Sequence, residues 1–170
     1  MSEVDKDILD GFREESKTLV AELEETVESL EGARSEFPAQ QLEEFAQKID
    51  RIMGAAKTLL TMAPEHPGLK AIATLSEISK RIGYQAAKKK QQNVIPLFAA
   101  FWADMIESID ELLDLLDDPK KSDSYVKTSV KVLQSRLEWL SEKVGTPGGT
   151  TSTEDATQDP EIAALLASLD

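Results

Sequence analysis

The stretch that decides the fold is Pro38 to Leu60, PAQQLEEFAQKIDRIMGAAKTLL. Leu42, Phe45, Ile49, Ile52, Ala56 and Leu59 recur at alternating spacings of three and four, which places them on one face of an α-helix and leaves the charged residues on the other. Pro38 fits as the opening residue of that helix, because its fixed φ suits the first turn and its missing N–H is no loss there. One residue resists the pattern. Gly54 lies in the middle of the helix, where glycine costs about 1 kcal/mol relative to alanine. Either a partner approaches closely at that point, or another helix of the same chain packs there.

The segments on either side repeat the same amphipathic design. Ser2 to about Gly32 carries Ile8, Phe12, Leu19, Leu23, Val27 and Leu30 in helical spacing. Downstream, Pro67-Gly68 opens a third helix with Leu69, Ile72, Leu75, Ile78 and Ile82, closing near Lys88-Lys89-Lys90, where cations suit a helix C-terminus. Gln91-Gln92-Asn93 reads as a loop. A fourth helix from about Val94 turns Phe98, Phe101, Trp102, Met105, Ile109, Leu112 and Leu116 inward, with Pro96 tolerable only in its first turn. A fifth, capped by Ser122 or Ser124, carries Tyr125, Val126, Val130, Leu133, Leu137, Leu140 and Val144. Short connections between helices of this length predict an all-α, antiparallel up-and-down bundle of five helices over residues 1–144.

After Val144 the composition changes to GTPGGTTSTEDATQDP, which offers little apolar surface to bury and reads as a flexible linker over 145–159. Residues 160–170, PEIAALLASLD, are different. Ile162, Leu165, Leu166 and Leu169 fall at i, i+3, i+4 and i+7, the pattern of a short helix that docks one face in a groove. Such a helix is marginal alone in water, so docking is what would order it.

Composition narrows the function. The 170 residues carry a formal net charge of −13 and no cysteine. That charge repels phosphate backbones and anionic lipid, which argues against nucleic acid and membrane surfaces as partners and favours proteins with basic patches. The lack of cysteine removes thiolate catalysis and thiolate metal sites and fits a reducing compartment. The start of the chain has no apolar signal core, and no run approaches the ~20 apolar residues of a membrane span, so a cytoplasmic location is expected. The single histidine, His66, has no second ligand at metal spacing, and no metal site is expected.

The five-helix layout and the segment Asp50-Arg51-Ile52-Met53-Gly54-Ala55-Ala56-Lys57-Thr58-Leu59 together resemble the histidine phosphotransfer (HPt) family, most closely the N-terminal phosphotransfer domain of the chemotaxis kinase CheA. Ile52, Gly54, Ala56, Thr58 and Leu59 agree with the family's second-helix pattern. The resemblance covers about Asp5 to Asp118 and extends to the fifth helix. It implies that Gly54 lies on an exposed face beside the phosphoacceptor, where a missing side chain admits a receiver domain. The departure is at the acceptor itself. Asp50 stands where the family has histidine, and Met53 stands where it has lysine, and a carboxylate cannot act as the imidazole nucleophile of a His-to-Asp relay. The resemblance is therefore to a pseudo-phosphotransfer domain.

The tail Asp159 to Leu169 resembles the peptides by which the phosphatase CheZ and the switch protein FliM bind the response regulator CheY. The two resemblances imply a CheY-type receiver as partner, other chemotaxis proteins being possible partners too. Contacts would come from Asp50, Arg51, Met53, Gly54 and Lys57 on the bundle and from Ile162, Leu165, Leu166 and Leu169 in the tail. No cofactor of the chain's own is implied, since Mg²⁺ would be carried by the receiver. Two other readings stay open. The protein could be a phosphatase that speeds loss of phosphate from the receiver, with Gln47, Glu43 and Asp50 positioning water; the Asp-x-x-x-Gln spacing of CheZ is absent, Glu43 to Gln47 being nearest. It could also be an unrelated structural or dimerising bundle.

Overall fold

A computed structural model describes residues 5–32, 38–89 and 95–145, except for the side chains of residues 31, 32, 89, 134, 138 and 141–145. The expected loop at Gln91-Gln92-Asn93, residues 146–159 of the expected linker and the 160–170 segment lie outside the described residues, while Gly145, expected to open the linker, ends the last helix. Those described form an all-α bundle with no strand among them: α1 (Lys6–Gly32), α2 (Ala39–Leu60), α3 (Pro67–Lys89), α4 (Ile95–Asp114), α5 (Pro119–Tyr125), a π-helical segment (Val126–Val130) and α6 (Lys131–Gly145). None of these helices is long and apolar enough to cross a membrane.

The pairing follows from cross-helix ion pairs as well as from the apolar stripes. Arg13 and Lys17 of α1 meet Asp117 and then Asp110 and Asp114, so α1 runs antiparallel to α4. Asp50 meets Lys80 and Lys57 meets Glu77, so α2 runs antiparallel to α3. With α1 packed on α2, the first four helices close an up-down-up-down ring, and α6 packs against α3 and α4.

The buried residues keep the register that this packing needs. In α1 the buried Leu9, Phe12, Ser16, Leu19, Leu23, Thr26 and Leu30 fall alternately three and four apart, the seam of an antiparallel bundle, and Val20 and Val27 widen it. Ile8, expected on that stripe, is instead 47% exposed. Ile8 and Leu9 stand four and three residues before Phe12 and both fit its spacing, but only Leu9 is buried. Asp5 accepts from the backbone N–H of Asp7 at 2.8 Å and so caps α1. The α2 stripe is buried as expected, and Pro38 sits at its N-cap, its carbonyl accepting from Leu42 N–H.

At the centre, the Trp102 indole is fully buried, stacked on Phe45 at 3.9 Å between ring centres and near Phe98 at 5.5 Å. Gly83 of α3 lies against this indole, where a Cβ would stand 3.4 Å from Trp102 Cζ2, in ordinary contact. Phe101, expected inward, is only partly buried and leans on Trp139 of α6.

The fifth segment departs from expectation in two ways. Asp118, not Ser122 or Ser124, caps it, its carboxylate accepting from Lys121 N–H with Pro119 in the first turn. Asp118-Pro119 is the better signal because it combines a carboxylate cap with a proline at the first helical position. Ser122 is fully buried, and its hydroxyl donates to the Leu115 carbonyl at 2.8 Å. The segment is also not one uniform α-helix, because Val126–Val130 form a π turn before α6.

Candidate functional site

Gln47, Asp50 and Gly54 lie at i, i+3 and i+7 of α2 and so share its outer face. This face borders α3, and two ion pairs tie the helices together across the seam. Asp50 Oδ1 is 2.8 Å from Lys80 Nζ, and Lys57 Nζ is 2.8 Å from Glu77 Oε2. Each helix supplies one acid and one base, so the pairs fix the register of α2 on α3 while leaving the seam close to neutral. Both are partly exposed, and pairs of this kind contribute about 1 kcal/mol or less. Glu77 also lies 3.9 Å from Arg81, one turn on. On the other flank Arg51 reaches across to Glu15 of α1 at 3.4 Å, both side chains being well exposed.

Gly54 stands between these flanks on the exposed surface, and a Cβ built on it would have no atom within 4 Å. Packing among the described residues therefore does not explain this glycine, and no other described helix stands against it. The Thr58 hydroxyl donates back to the Gly54 carbonyl at 2.9 Å, so the helix is continuous through the position. Gly11 in α1 is equally open. It lies in the second turn of its helix, away from the α2–α3 seam.

The residues singled out in the sequence separate as follows. Glu43, Gln47, Arg51, Gly54 and Lys57 are exposed and Asp50 is half-exposed beside Lys80. Met53, counted as a contact residue by its place in the resemblance, is only 9% exposed and points into the bundle. The reason is helical phase, since Met53 follows the inward Ile52 and faces α3 beside Ile49 and Ala56. Ile162, Leu165, Leu166 and Leu169 lie outside the described residues.

Sequence reasoning gave His66 no role, and the structure gives it a positional one. Its Nδ1 accepts from Leu69 N–H at 3.2 Å, capping α3, which leaves the ring proton on Nε2 to donate to the Leu116 carbonyl at 2.9 Å. Gly68 makes room for this ring, because a Cβ there would stand 3.1 Å from both His66 Cε1 and Ser122 Oγ. His66 and Ser122 thus collect two consecutive carbonyls just past the end of α4, that of Leu115 also accepting from the Asp118 N–H at 3.0 Å. Neither imidazole nitrogen can attack a phosphoryl group without giving up one of these bonds. The HPG triplet before an apolar run was the available signal for this corner.

A third charged cluster joins α1 to α4. Arg13 donates to the Leu113 carbonyl and to Asp10 and Asp117, and Lys17 is paired with Asp110 and Asp114 at 2.7 and 2.9 Å. Desolvation pulls the Lys17 pKa down, but the hydrogen bonds and charges of Asp110 and Asp114 outweigh it and hold the ammonium above its usual range. Among the described residues, no three His, Asp or Glu side chains converge in a way that could hold a metal ion.

The comparisons with known proteins return no relative: no family model, no curated protein and no solved structure matches the chain.

Proposed function

We propose that this protein docks a CheY-type receiver domain in chemotaxis-type two-component signalling, using the α2 face around Asp50 and Gly54 together with its C-terminal peptide, and is not itself a phosphohistidine relay. The observation that carries the reading is the open Gly54. A helix-interior glycine against which no described residue packs leaves room for close approach of something else. The resemblance of residues 50–59 to phosphotransfer domains supplies the kind of partner. Loss of the acceptor follows from Asp50, and the engagement of both His66 nitrogens supports it, because the one imidazole in the chain is committed to holding a helix corner.

Tail and bundle would act together. Once one contact forms, the second becomes intramolecular, with an effective concentration up to about millimolar for a short flexible linker. Each contact can then be weak. Any Mg²⁺ involved would belong to the receiver.

A second reading, a phosphatase acting on the receiver's aspartyl phosphate, is favoured by the exposure of Gln47 and Glu43 one and two turns before Asp50 on the same face. An amide there could position water without a covalent intermediate. The two readings separate in one experiment: decay of phosphate from a purified CheY-type receiver with and without stoichiometric protein, alongside titration of the phosphorylated and resting receiver. Binding with unchanged decay supports the adaptor. Faster decay that disappears in Gln47→Ala while binding persists supports the phosphatase. No binding to either form refutes both and favours a structural or dimerising bundle.

A further inference from the structure

The α5–α6 rod differs from the rest of the chain in both charge and surface. Residues 119–145 carry six Lys/Arg against three Asp/Glu, a net of +3 in a chain of net −13. On the outer side of α6, Val132 is 55% exposed and Trp139 is 41% exposed. They are seven residues apart and so share a face, with Arg136 between them. Trp139 meets the half-buried Phe101 of α4 at 5.9 Å between ring centres, and Arg136 is ion-paired to Asp104 of α4. The result is an apolar strip across α4 and α6, whose own helix carries Lys131, Arg136 and Lys143 against Glu138 and Glu142, the other three cations of the rod lying just upstream at Lys120, Lys121 and Lys127.

The C-terminal residues have the complementary character. Residues 146–170 carry five acids and no Lys or Arg, a net of −5, and within them Ile162, Leu165, Leu166 and Leu169 make one apolar helical face. Sixteen residues, 146–161, separate Ile162 from the end of α6. A Gly/Thr-rich chain of that length has a root-mean-square span of roughly 20 Å. Trp139 lies six residues before Gly145, about 9 Å back along the helix, so the strip is well within reach.

From this complementarity and reach, we infer that the Ile162–Leu169 segment docks on its own bundle, laying its apolar face across Val132 and Trp139 of α6 and Phe101 of α4, with its acids toward the cations of α6. The inference does not depend on the receiver reading. At an effective concentration of about 1 mM, an intrinsic dissociation constant of about 100 µM would keep the segment docked roughly 90% of the time. A receiver that takes the same peptide would have to release it first.

Tryptophan emission of the full chain tests this directly. The chain has two tryptophans, and Trp102 is fully buried, so Trp139 reports the strip. The full chain is compared with its Leu165→Ser/Leu166→Ser variant, with far-UV circular dichroism to check that both are folded. The variant is expected to emit further to the red and to be quenched more strongly by acrylamide, and high salt should move the parent chain part of the way toward it. In a Trp139→Phe background the difference should vanish. Identical emission and quenching in the two chains would overturn the inference, as would a difference that survives Trp139→Phe. Shielding of Trp139 that grows with protein concentration would overturn it in favour of a second copy on the strip.

Discussion

Replacing Gly54 with alanine sets two consequences of the structure against each other. A Cβ at this position meets no atom within 4 Å, so the new methyl group causes no clash. What remains is the difference in helix propensity and in the freedom of the unfolded chain, which favours alanine by about 0.8–1 kcal/mol in a helix interior. For a helical unit of about 140 residues that corresponds to a rise in Tm of about 3 °C. Thermal unfolding followed at 222 nm would read it, and Gly11→Ala, equally open, should give a similar rise. If α2 is the docking face, the same methyl group intrudes on the partner. One misplaced methyl at a close-packed contact costs on the order of 1–3 kcal/mol, a loss in receiver affinity of about 5- to 150-fold. Gly54→Ala should therefore be more stable and bind less well, whereas Gly11→Ala should be more stable and bind normally. A fall in Tm for Gly54→Ala would refute the reading of Gly54 as open. Unchanged affinity in both Gly54→Ala and Gly54→Arg would refute the docking face.

The corner at His66 and the clasp at Lys17 make further predictions. Ser122→Ala removes one of two hydrogen bonds to the Leu115 carbonyl, which keeps the Asp118 N–H, and should destabilise the chain by about 0.5–1.5 kcal/mol in urea unfolding, whereas His66→Ala should cost about 1–3 kcal/mol because the Leu116 carbonyl and the Leu69 N–H lose their partner. Gly68→Ala should also destabilise, but by less in a His66→Ala background where the ring is gone; an additive double-mutant cycle would contradict the contact. Lys17→Met removes both α1–α4 ion pairs of that lysine. Because the folded-state pKa of Lys17 is raised, its stabilisation is fully present below the unfolded value near 10.4 and is lost as pH rises through the folded one. The difference in urea midpoint between parent and Lys17→Met should hold between about pH 7 and 9 and shrink above about 10.4. A difference that grows there would reverse the assigned sign.

Periodicity was enough to read the bundle because the seam residues repeat in one phase through long helices, as Leu42 to Leu59 do in α2. It misled at Ile8, where two adjacent apolar residues both fit and only packing against α4 chooses between them. It also could not reveal the corner at His66. That contact joins residues 50 positions apart, and its hydrogen bonds depend on the exact ends of three helices. At the site, the exposure of Gly54 and Gln47 followed from the polar side of the stripe. The Asp50–Lys80 and Lys57–Glu77 pairs did not, since they require the α2–α3 register, and Met53 was misplaced because the resemblance was followed over the phase of the helix.

The π turn at Val126–Val130 acts as a rotational joint within the last rod. A π turn takes up one more residue than an α turn, which shifts everything beyond it by about 100° relative to an unbroken helix. Before the joint, Ser122 must face the end of α4; after it, Leu133, Leu137 and Leu140 must face the bundle. On a single uninterrupted helix Ser122 and Leu140, eighteen residues apart, would share one heading, and the extra residue turns them about 100° apart. The extra residue gives each half its own heading, so the outward direction of Val132 and Trp139 follows from a phase change upstream of both.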